Sequence, residues 1–359
     1  MKEATMSPWD PREAYNSLPL RPRRLQPPGT LLLEAASALG RADEAARSMP
    51  DPGVLAAVVP ILEAQASSAI ENIVTTSDEL LREAAGVGTP TPATTEAMRA
   101  RSALIAGTDA LRSRPVSPAL AVLVADELMG HSVQLRRGGG VYIGRPDGTR
   151  VYTPPEGHER IASLLDEWAA YVHDPAVDPL TRMALGHYQF EAIHPFHDGN
   201  GRTGRILNQL LLIENGLIEQ PVVYLSGIIN TRRSEYYERL LAVTAEDAWE
   251  PWLEFMLLAV RDGARWSLDR AARVREAFTR VAEEVDRILP SGVSTKFVDA
   301  LFRNAYVTIR DVVAACGVSR QTASNWLRRL SDSGLLTEIP SGRTKAFLNR
   351  PFLAALTQD

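Results

Sequence analysis

Hydrophobic residues recur every three or four positions along most of this chain, which is the spacing of helices that bury one face. The spacing predicts helical segments over residues 31–83, 94–132, 157–172, 232–246 and 250–289. Proline and glycine clusters interrupt the first two of these segments and predict short breaks there. A mainly α-helical fold is therefore expected.

Two stretches depart from this helical spacing. Residues 141–155 alternate apolar and polar side chains around Pro146-Asp147-Gly148, which predicts a β-hairpin. Near the C-terminus, two short helices over residues 308–316 and 319–330 precede a second hairpin over residues 335–349. Two helices joined by a tight turn and followed by a hairpin predict a winged helix-turn-helix.

Bulk composition is that of an ordinary soluble globular protein, with 45% hydrophobic residues, 23% charged residues and a net charge of −5. The negative balance argues against a broad nucleic-acid-coating surface, although it allows a local basic patch. A single cysteine, Cys316, excludes an intrachain disulfide and fits a reducing cytoplasm, which is the expected location.

No apolar run approaches the ~18 residues that span a bilayer, and the charged N-terminus lacks the apolar core of a signal peptide. No membrane partner is expected.

The strongest candidate chemistry lies between His194 and Arg205, in the sequence His-Pro-Phe-His-Asp-Gly-Asn-Gly-Arg-Thr-Gly-Arg. Glycines let backbone N–H groups approach phosphate oxygens, and arginines neutralise those oxygens with forked hydrogen bonds. Asp198 can hold a divalent cation, and the imidazole of His194 can accept a proton near neutral pH. The flanking residues predict a helix on each side, the second beginning near Thr203 and directing its N–H groups at an anion.

These residues match the signature of the Fic family, His-Pro-Phe-x-(Asp/Glu)-Gly-Asn-Gly-Arg-x-x-Arg, without a mismatch. The chain resembles that family over roughly residues 15–260. The resemblance implies an enzyme, a protein adenylyltransferase that moves AMP from ATP to a Ser, Thr or Tyr hydroxyl of a target protein. It implies Mg²⁺, or Mn²⁺ in its place, as the cofactor. Gly201 separates this chain from the Doc-like relatives, which carry Lys at that point and act as kinases.

The resemblance also implies a role for each position of the loop. His194 would deprotonate the target hydroxyl, and Asp198 would bind the metal against the α- and β-phosphates. Arg202 and Arg205 would hold the β- and γ-phosphates. The full nucleotide-binding set in the loop comprises Gly199, Asn200, Gly201, Arg202, Thr203, Gly204 and Arg205. His197 fills a variable position of the signature, and no catalytic role is expected for it.

A second motif lies upstream, where Ser67-Ser68-Ala69-Ile70-Glu71-Asn72 matches the family's inhibitory motif, (Ser/Thr)-x-x-x-Glu-(Gly/Asn). Ser67 and Glu71 are four residues apart and would share one face of a helix. In the family this glutamate reaches the second arginine of the loop, here Arg205. Since an arginine paired with a carboxylate is not free to take a phosphate, the resemblance implies autoinhibition by Glu71.

Two further segments resemble the family. The hairpin over residues 141–155 corresponds to the flap, which holds the target segment by strand addition. The Arg136-Arg137 pair before it is expected to be a solvated turn. Downstream, Tyr237 is expected to line the adenine pocket. The family also suggests a homodimer and modification of the protein by itself.

Residues 301–359 carry 8 Lys and Arg against 4 acidic residues within a net acidic chain. Arg320, Gln321 and Asn325 would face a DNA major groove at the start of the second short helix, with Arg343 and Lys345 on the wing. DNA binding through residues 308–348 is one expectation for this domain. A module for protein interaction or dimer packing is the other.

The chain divides into four predicted regions, namely an arm with the inhibitory helical region (1–95), a Fic catalytic core (96–260), a helical linker (261–292) and the winged helix-turn-helix (293–359). Six prolines within residues 1–30 predict that the arm begins as extended chain, and Pro290-Ser291-Gly292 predicts the last boundary.

Other functions stay open beside AMP transfer. The same site would remove AMP from a modified target if Glu71 positioned a water molecule, as the family suggests. A DNA-binding regulator that senses nucleotide is a further alternative. His197-Asp198 also resembles the metal-binding pair of phosphohydrolases, but that reading leaves the glycines and arginines of the loop unexplained.

Overall fold

The computed structural model of this chain describes residues 9–15, 25, 28–145, 147–289, 293, 295–341 and 344–357. Within these residues, fifteen helices and five short strands confirm the mainly α-helical prediction. Several predicted features lie outside the described residues, namely most of the extended arm, Pro146 of the first hairpin, the boundary at Pro290-Ser291-Gly292 and Arg343 of the wing.

The elements follow one another in this order: α1 (Gly29–Arg47), α2 (Gly53–Ile70), α3 (Ser77–Ala84), α4 (Pro92–Ala110), α5 (Pro118–Met129), β1 (Ile143–Gly144), β2 (Arg150–Tyr152), α6 (His158–Val172), α7 (Pro179–Ile193), α8 (Asn200–Glu214), α9 (Leu225–Thr231), α10 (Arg233–Glu246), α11 (Trp249–Ile288), α12 (Thr295–Phe302), β3 (Tyr306–Thr308), α13 (Ile309–Cys316), α14 (Arg320–Asp332), β4 (Leu336–Ser341), β5 (Thr344–Asn349) and α15 (Arg350–Thr357).

The chain forms two compact units that alternate along the sequence. The first contains Met1–Ala36, Ser102–Leu217 and Thr231–Val260, and the second contains Ser37–Arg101, Ile218–Asn230 and Arg261–Asp359. The four predicted regions stay a prediction.

Helix α7 forms the centre of the first unit, since every residue from Leu180 to Ile193 is buried. A helix that is buried on all sides lies in the core and packs against several neighbours. Two of these neighbours also contact its backbone. The indole of Trp168 on α6 donates to the carbonyl of Gly186 at 3.0 Å, and that of Trp252 on α11 donates to the carbonyl of Ala184 at 2.8 Å. These contacts anchor the middle of α7 to the neighbouring helices.

The predicted hairpin, called the flap below, is present in the first unit as the antiparallel pair β1 and β2. Ile143 pairs with Tyr152, and the register shifts before Gly144. The hydroxyl of Tyr152 donates to the carbonyl of Ala192 at 2.8 Å, which ties the second strand to the end of α7. The backbone N–H of Tyr15 donates to the carbonyl of Thr153 at 2.9 Å, so part of the N-terminal arm lies along the flap.

The C-terminal part of the second unit confirms the winged helix-turn-helix. Helices α12, α13 and α14 pack with a three-stranded antiparallel sheet in the order β3-β5-β4. Thr308 caps α13 in a capping box with Asp311, and Gly317 ends that helix at a φ of 67°. Ser319 caps α14 by accepting from the N–H of Thr322. The helices predicted over residues 308–316 and 319–330 correspond to α13 and α14, and these local caps explain where the two helices begin.

One membrane-related expectation needs correction. Helix α2 is long and apolar enough to cross a membrane by length and composition, contrary to the prediction that no run approaches that limit. In the structure, 72% of this helix is buried. Its apolar side chains, Val58 and Ile61 among them, belong to the core of the second unit. It therefore has the surroundings of the core helix of a globular unit.

Candidate active site

The signature residues form a tight loop between α7 and α8. His194 follows the last residue of α7 and takes the left-handed conformation, with φ 49° and ψ 60°. Gly199 is also left-handed, with φ 77°, and precedes the first residue of α8. The second helix therefore begins at Asn200 and not near Thr203 as predicted. The N–H of Thr203 already donates to the carbonyl of Gly199 at 2.9 Å, as it does in a formed helical turn.

The side chain of Asn200 explains the early start of α8. Its Oδ1 accepts from the N–H of Phe196, and its Nδ2 donates to the carbonyl of Phe196, both at 2.8 Å. These two hydrogen bonds tie the loop at Phe196 to Asn200, the first residue of α8. Because both ends of the amide are engaged, Asn200 serves the loop through its side chain and leaves only its backbone N–H for a ligand at the first turn.

Thr203 and Gly204 support the loop from within the protein. Thr203 has no exposed surface. A Cβ at Gly204 would lie 2.3 Å from Oε1 of Glu191 and 3.2 Å from Phe190, so this glycine permits the close approach of α8 to α7. Their predicted contact with nucleotide stays a prediction.

Both predicted phosphate-binding arginines are buried on α8, with Arg202 3% and Arg205 1% exposed. Burying a guanidinium is unfavourable unless it is paired and hydrogen-bonded. Nη2 of Arg202 lies 3.9 Å from Oδ1 of Asp198. Two guanidinium groups thus lie near the start of α8, where the N-terminal dipole of the helix has the same sign. The arrangement suits an anion with several negative oxygens.

Asp198 is the predicted metal ligand, and its carboxylate is 71% exposed. Its Oδ1 accepts from the N–H of Gly199 at 2.6 Å, which orients the carboxylate at the start of α8. Among the described residues, no three His, Cys, Asp or Glu side chains gather into a metal cluster. A single exposed carboxylate, 3.9 Å from Nη2 of Arg202, fits Mg²⁺, which usually keeps several waters and takes its other ligands from substrate phosphates.

The backbone of His194 is held by Arg136, whose Nε donates to the His194 carbonyl at 2.7 Å. Arg136 has no exposed surface, so the prediction of a solvated turn is wrong for this residue, whereas Arg137 is exposed as expected. Burial lowers the pKa of the Arg136 guanidinium, which nevertheless stays charged. No local signal distinguishes the two arginines, because the acceptors of Arg136 are carbonyls far away in the sequence.

Tyr237, the predicted adenine contact, is 40% exposed on α10. Its ring lies 5.1 Å from that of the buried Tyr236, in an edge-to-face arrangement. The hydroxyl of Tyr236 bonds to Nε2 of His187 on α7 at 2.9 Å. Burial, with the nearby Arg205 charge as a second cause, lowers the pKa of His187 to about 3. A neutral histidine and a buried tyrosine thus support the exposed Tyr237 ring, although its contact with adenine stays a prediction.

The predicted inhibitory residues lie in the second unit. Ser67 is buried in the last turn of α2, and that helix ends at Ile70. Glu71 is the C-cap of that helix and is exposed. Asn72 turns the chain at a φ of 63°. The pairing of Glu71 with Arg205 stays a prediction.

Comparison with known proteins identifies the family. The Fic/DOC family N-terminal model matches residues 30–109, and the Fic/DOC family model matches residues 115–212. The C-terminal domain of protein adenylyltransferase SoFic-like proteins matches residues 278–352. The chain belongs to the Fic family.

Among curated proteins, this Fic protein is similar to protein adenylyltransferase fic-1 of Caenorhabditis elegans, with 34% identity over 125 residues, which cover 33% of this chain and 23% of that protein. Protein adenylyltransferase Fic of Drosophila melanogaster is 35% identical over 105 residues, which cover 28% of this chain and 20% of that protein. The chain thus spans about a quarter or less of the length of these relatives.

Two solved structures share the fold. A Fic family protein from Desulfovibrio desulfuricans aligns with a TM-score of 0.59 and 24% identity, covering 92% of this chain and 99% of that one. A fragment of Fic-1 from Caenorhabditis elegans aligns with a TM-score of 0.53 and 19% identity, covering 67% of this chain and 71% of the fragment. At these identities the likeness concerns the fold alone.

Proposed function

We propose that this Fic protein transfers AMP from ATP to a Ser, Thr or Tyr hydroxyl of a target protein. The observation that carries the proposal is the constrained loop itself. A half-buried histidine in left-handed conformation follows α7, and a short loop leads from it to the start of α8, where two arginines are buried. The site therefore combines a base with an anion-binding helix start. The adenylyltransferase names of its relatives support the same reaction.

In the proposed reaction, the target oxygen attacks the α-phosphorus of ATP. A new P–O bond forms to the target as the bond to the bridging oxygen between the α- and β-phosphorus breaks. The electron pair of the broken bond leaves with pyrophosphate, and the proton of the hydroxyl passes to the imidazole of His194. The first-turn N–H groups of α8 and the two buried arginines hold the phosphates and stabilise the negative charge.

Asp198 is the residue that would hold the Mg²⁺ of the nucleotide. When bound, the cation neutralises phosphate charge and polarises the phosphoryl oxygen. The Asp198 carboxylate, in turn, is fixed by the N–H of Gly199. Asp198→Ala should therefore weaken the metal-dependent part of ATP binding while leaving the loop folded.

Labelled ATP tests the reaction class directly. We expect label from the α-phosphate to enter protein and label from the γ-phosphate to stay out. Incorporation of the γ-label would instead indicate phosphorylation and would contradict the proposal. His194→Ala should abolish α-label incorporation while ATP binding persists, whereas His197→Ala, at the variable position, should retain incorporation. Retained labelling in His194→Ala would remove the assigned base.

We also propose that Glu71 restrains this activity. Glu71 is exposed at the end of α2, and the left-handed Asn72 turns the chain directly after it. An acidic group that pairs with Arg205 would compete with the γ-phosphate of ATP for the same guanidinium. The same carboxylate would position water for AMP removal, and incubation with AMP-modified target followed by assay of free AMP separates that reaction from transfer.

A second candidate function concerns the winged domain, where helix α14 presents an exposed, positive face. Arg320, Gln321, Asn325 and Arg328 are exposed there, and the amide of Gln321 donates to that of Asn325 at 3.0 Å. On the wing, Lys345 pairs with Glu338 at 2.6 Å, which reduces the charge available to phosphate. The exposed, positive face of α14 favours DNA as the partner, whereas the pairing of Lys345 favours the alternative, a protein-interaction module.

A gel shift with genomic DNA fragments tests the second candidate. We expect binding that weakens steeply with salt, because each phosphate contact releases a counterion. Arg320→Ala combined with Arg328→Ala should abolish the shift and leave AMP transfer unchanged. Absence of any shift at low salt would contradict DNA binding and favour the protein-interaction module.

A further inference from the structure

The guanidinium of Arg136 lies where the flap meets the loop that begins at His194. Nε donates to the carbonyl of His194 at 2.7 Å, and one terminal nitrogen donates to the carbonyl of Ile193 at 3.2 Å. The backbone N–H of Arg136 donates to the carbonyl of Pro195 at 3.0 Å. One residue therefore holds three consecutive carbonyls around the candidate base.

The carbonyl of Ile193 is the last of α7 and has no intrahelical partner. The carbonyls of His194 and Pro195 lie beyond the helix, and being close to buried residues they also need donors from elsewhere in the protein. The usual solution is a left-handed glycine after the helix. Here His194 takes the left-handed conformation, with φ 49°, which disfavours residues that carry a Cβ. Glycine at this point would remove the imidazole, so the strained backbone has to be held by other groups.

The same guanidinium reaches the base of the flap. The terminal nitrogen that bonds to Ile193 also donates to the carbonyl of Pro155 at 3.0 Å, just beyond β2. Arginine presents its donors in a rigid planar fork, so these acceptors are held in a fixed arrangement. Full burial of Arg136 excludes water that would otherwise compete for the same carbonyls.

We propose that Arg136 is a positioning residue for His194, which it holds in the left-handed geometry that presents the imidazole to the acceptor hydroxyl. This inference rests on the proposed function of His194 as the base. Arg136 acts through the backbone of His194 and of the flap base, and it makes no contact with nucleotide. Its loss therefore impairs the chemical step and spares ATP binding.

The test compares Arg136→Gln and Arg136→Lys with the exposed neighbour Arg137→Gln in the full-length chain. Histidines carry ring ¹³C labels, and the chain contains only six of them. His194→Ala assigns the His194 signal. His187, buried on the same helix, reports whether α7 is intact.

In Arg136→Gln we expect a changed chemical shift and titration midpoint for His194, an unchanged His187 signal and an unchanged Kd for ATP. We expect kcat for AMP transfer to fall about 10- to 100-fold, as for a misplaced catalytic group. Arg136→Lys keeps the charge without the fork and should show the same changes at smaller size. Arg137→Gln should match the wild type in every measurement.

An unmoved His194 signal in Arg136→Gln would overturn the inference, as would equal displacement of His187, which would indicate a merely structural role. If Arg136→Gln fails to fold, the His194 and His187 signals of Arg136→Lys provide the same test. The NMR result stands apart from activity. A displaced His194 signal in a protein without AMP transfer would support the positioning contact while contradicting the proposed function.

Discussion

The side-chain amide of Asn200 bonds to both backbone groups of Phe196, at 2.8 Å on each side. Both residues are buried, so neither hydrogen bond is readily replaced by water. This pairing closes the loop on the first residue of α8. A glycine-rich loop would otherwise sample many conformations, and this pairing holds it in one conformation before α8.

Asn200→Asp should disturb the conformation of this loop. The carboxylate can still accept from the N–H of Phe196, but it cannot donate to the Phe196 carbonyl, and it adds negative charge where phosphate is expected. A buried carbonyl left without a donor costs about 1–3 kcal/mol. We expect the free energy of unfolding to fall by this amount and ATP binding to weaken, as measured by urea denaturation and calorimetric titration. Unchanged ATP affinity would show that the pairing does not shape the site.

Gly204→Ala should overpack the contact between α8 and α7. The new Cβ would lie 2.3 Å from Oε1 of Glu191, which forces a local shift, and overpacking of this kind costs about 1–3 kcal/mol. Gly40→Ala is the matched control, since Gly40 lies inside α1 and a Cβ there meets nothing within 4 Å. Thermal unfolding should show a lower Tm for Gly204→Ala and an equal or higher Tm for Gly40→Ala.

Glu71→Gly should raise incorporation of α-labelled AMP into the protein itself, because Arg205 would then be free for the γ-phosphate. Asn72→Gly controls for added backbone freedom, since Asn72 already has a φ of 63° and glycine accepts that angle. This control should label like the wild type. Equal labelling of Glu71→Gly and the wild type would count against autoinhibition.

His187 should make the stability of the protein depend on pH. Its pKa is about 3 in the folded state, below the ordinary value of 6.5, so the unfolded chain binds more protons between these pH values. The contribution of neutral His187 is therefore complete above pH 6.5 and is lost as the pH falls toward 3, by about 1.4 kcal/mol per pH unit at most.

Urea denaturation of the wild type, His187→Gln and His158→Gln over this range checks the assignment. His187→Gln should be less stable at pH 7 and should show a flatter dependence on pH. The exposed His158→Gln should follow the wild-type profile. A wild-type slope that persists in His187→Gln would assign the effect to other groups.

The local elements of this protein were predictable because their signals lie within a few residues of one another. The helix predicted over residues 308–316 corresponds to α13, whose start at the Thr308–Asp311 capping box and whose end at Gly317 depend on residues within the helix or next to it. The helix predicted before His194 corresponds to α7. The composition of the catalytic loop was equally visible, since its chemistry lies within twelve consecutive residues. From these features the sequence alone identified the family and the fold class, and it predicted His194 as the base.

Tertiary structure alone decided which of two neighbouring arginines is buried, where α8 begins and what holds His194 in a strained conformation. Arg136 and its acceptor at His194 are 58 residues apart. Contacts of that range depend on how the helices and the flap pack. The residues next to Arg136 do not indicate which distant carbonyls it will meet. From the sequence, both arginines of this glycine-rich segment are expected to be solvated. In the folded protein one of them is buried, because the carbonyls of Ile193, His194 and Pro155 accept its hydrogen bonds.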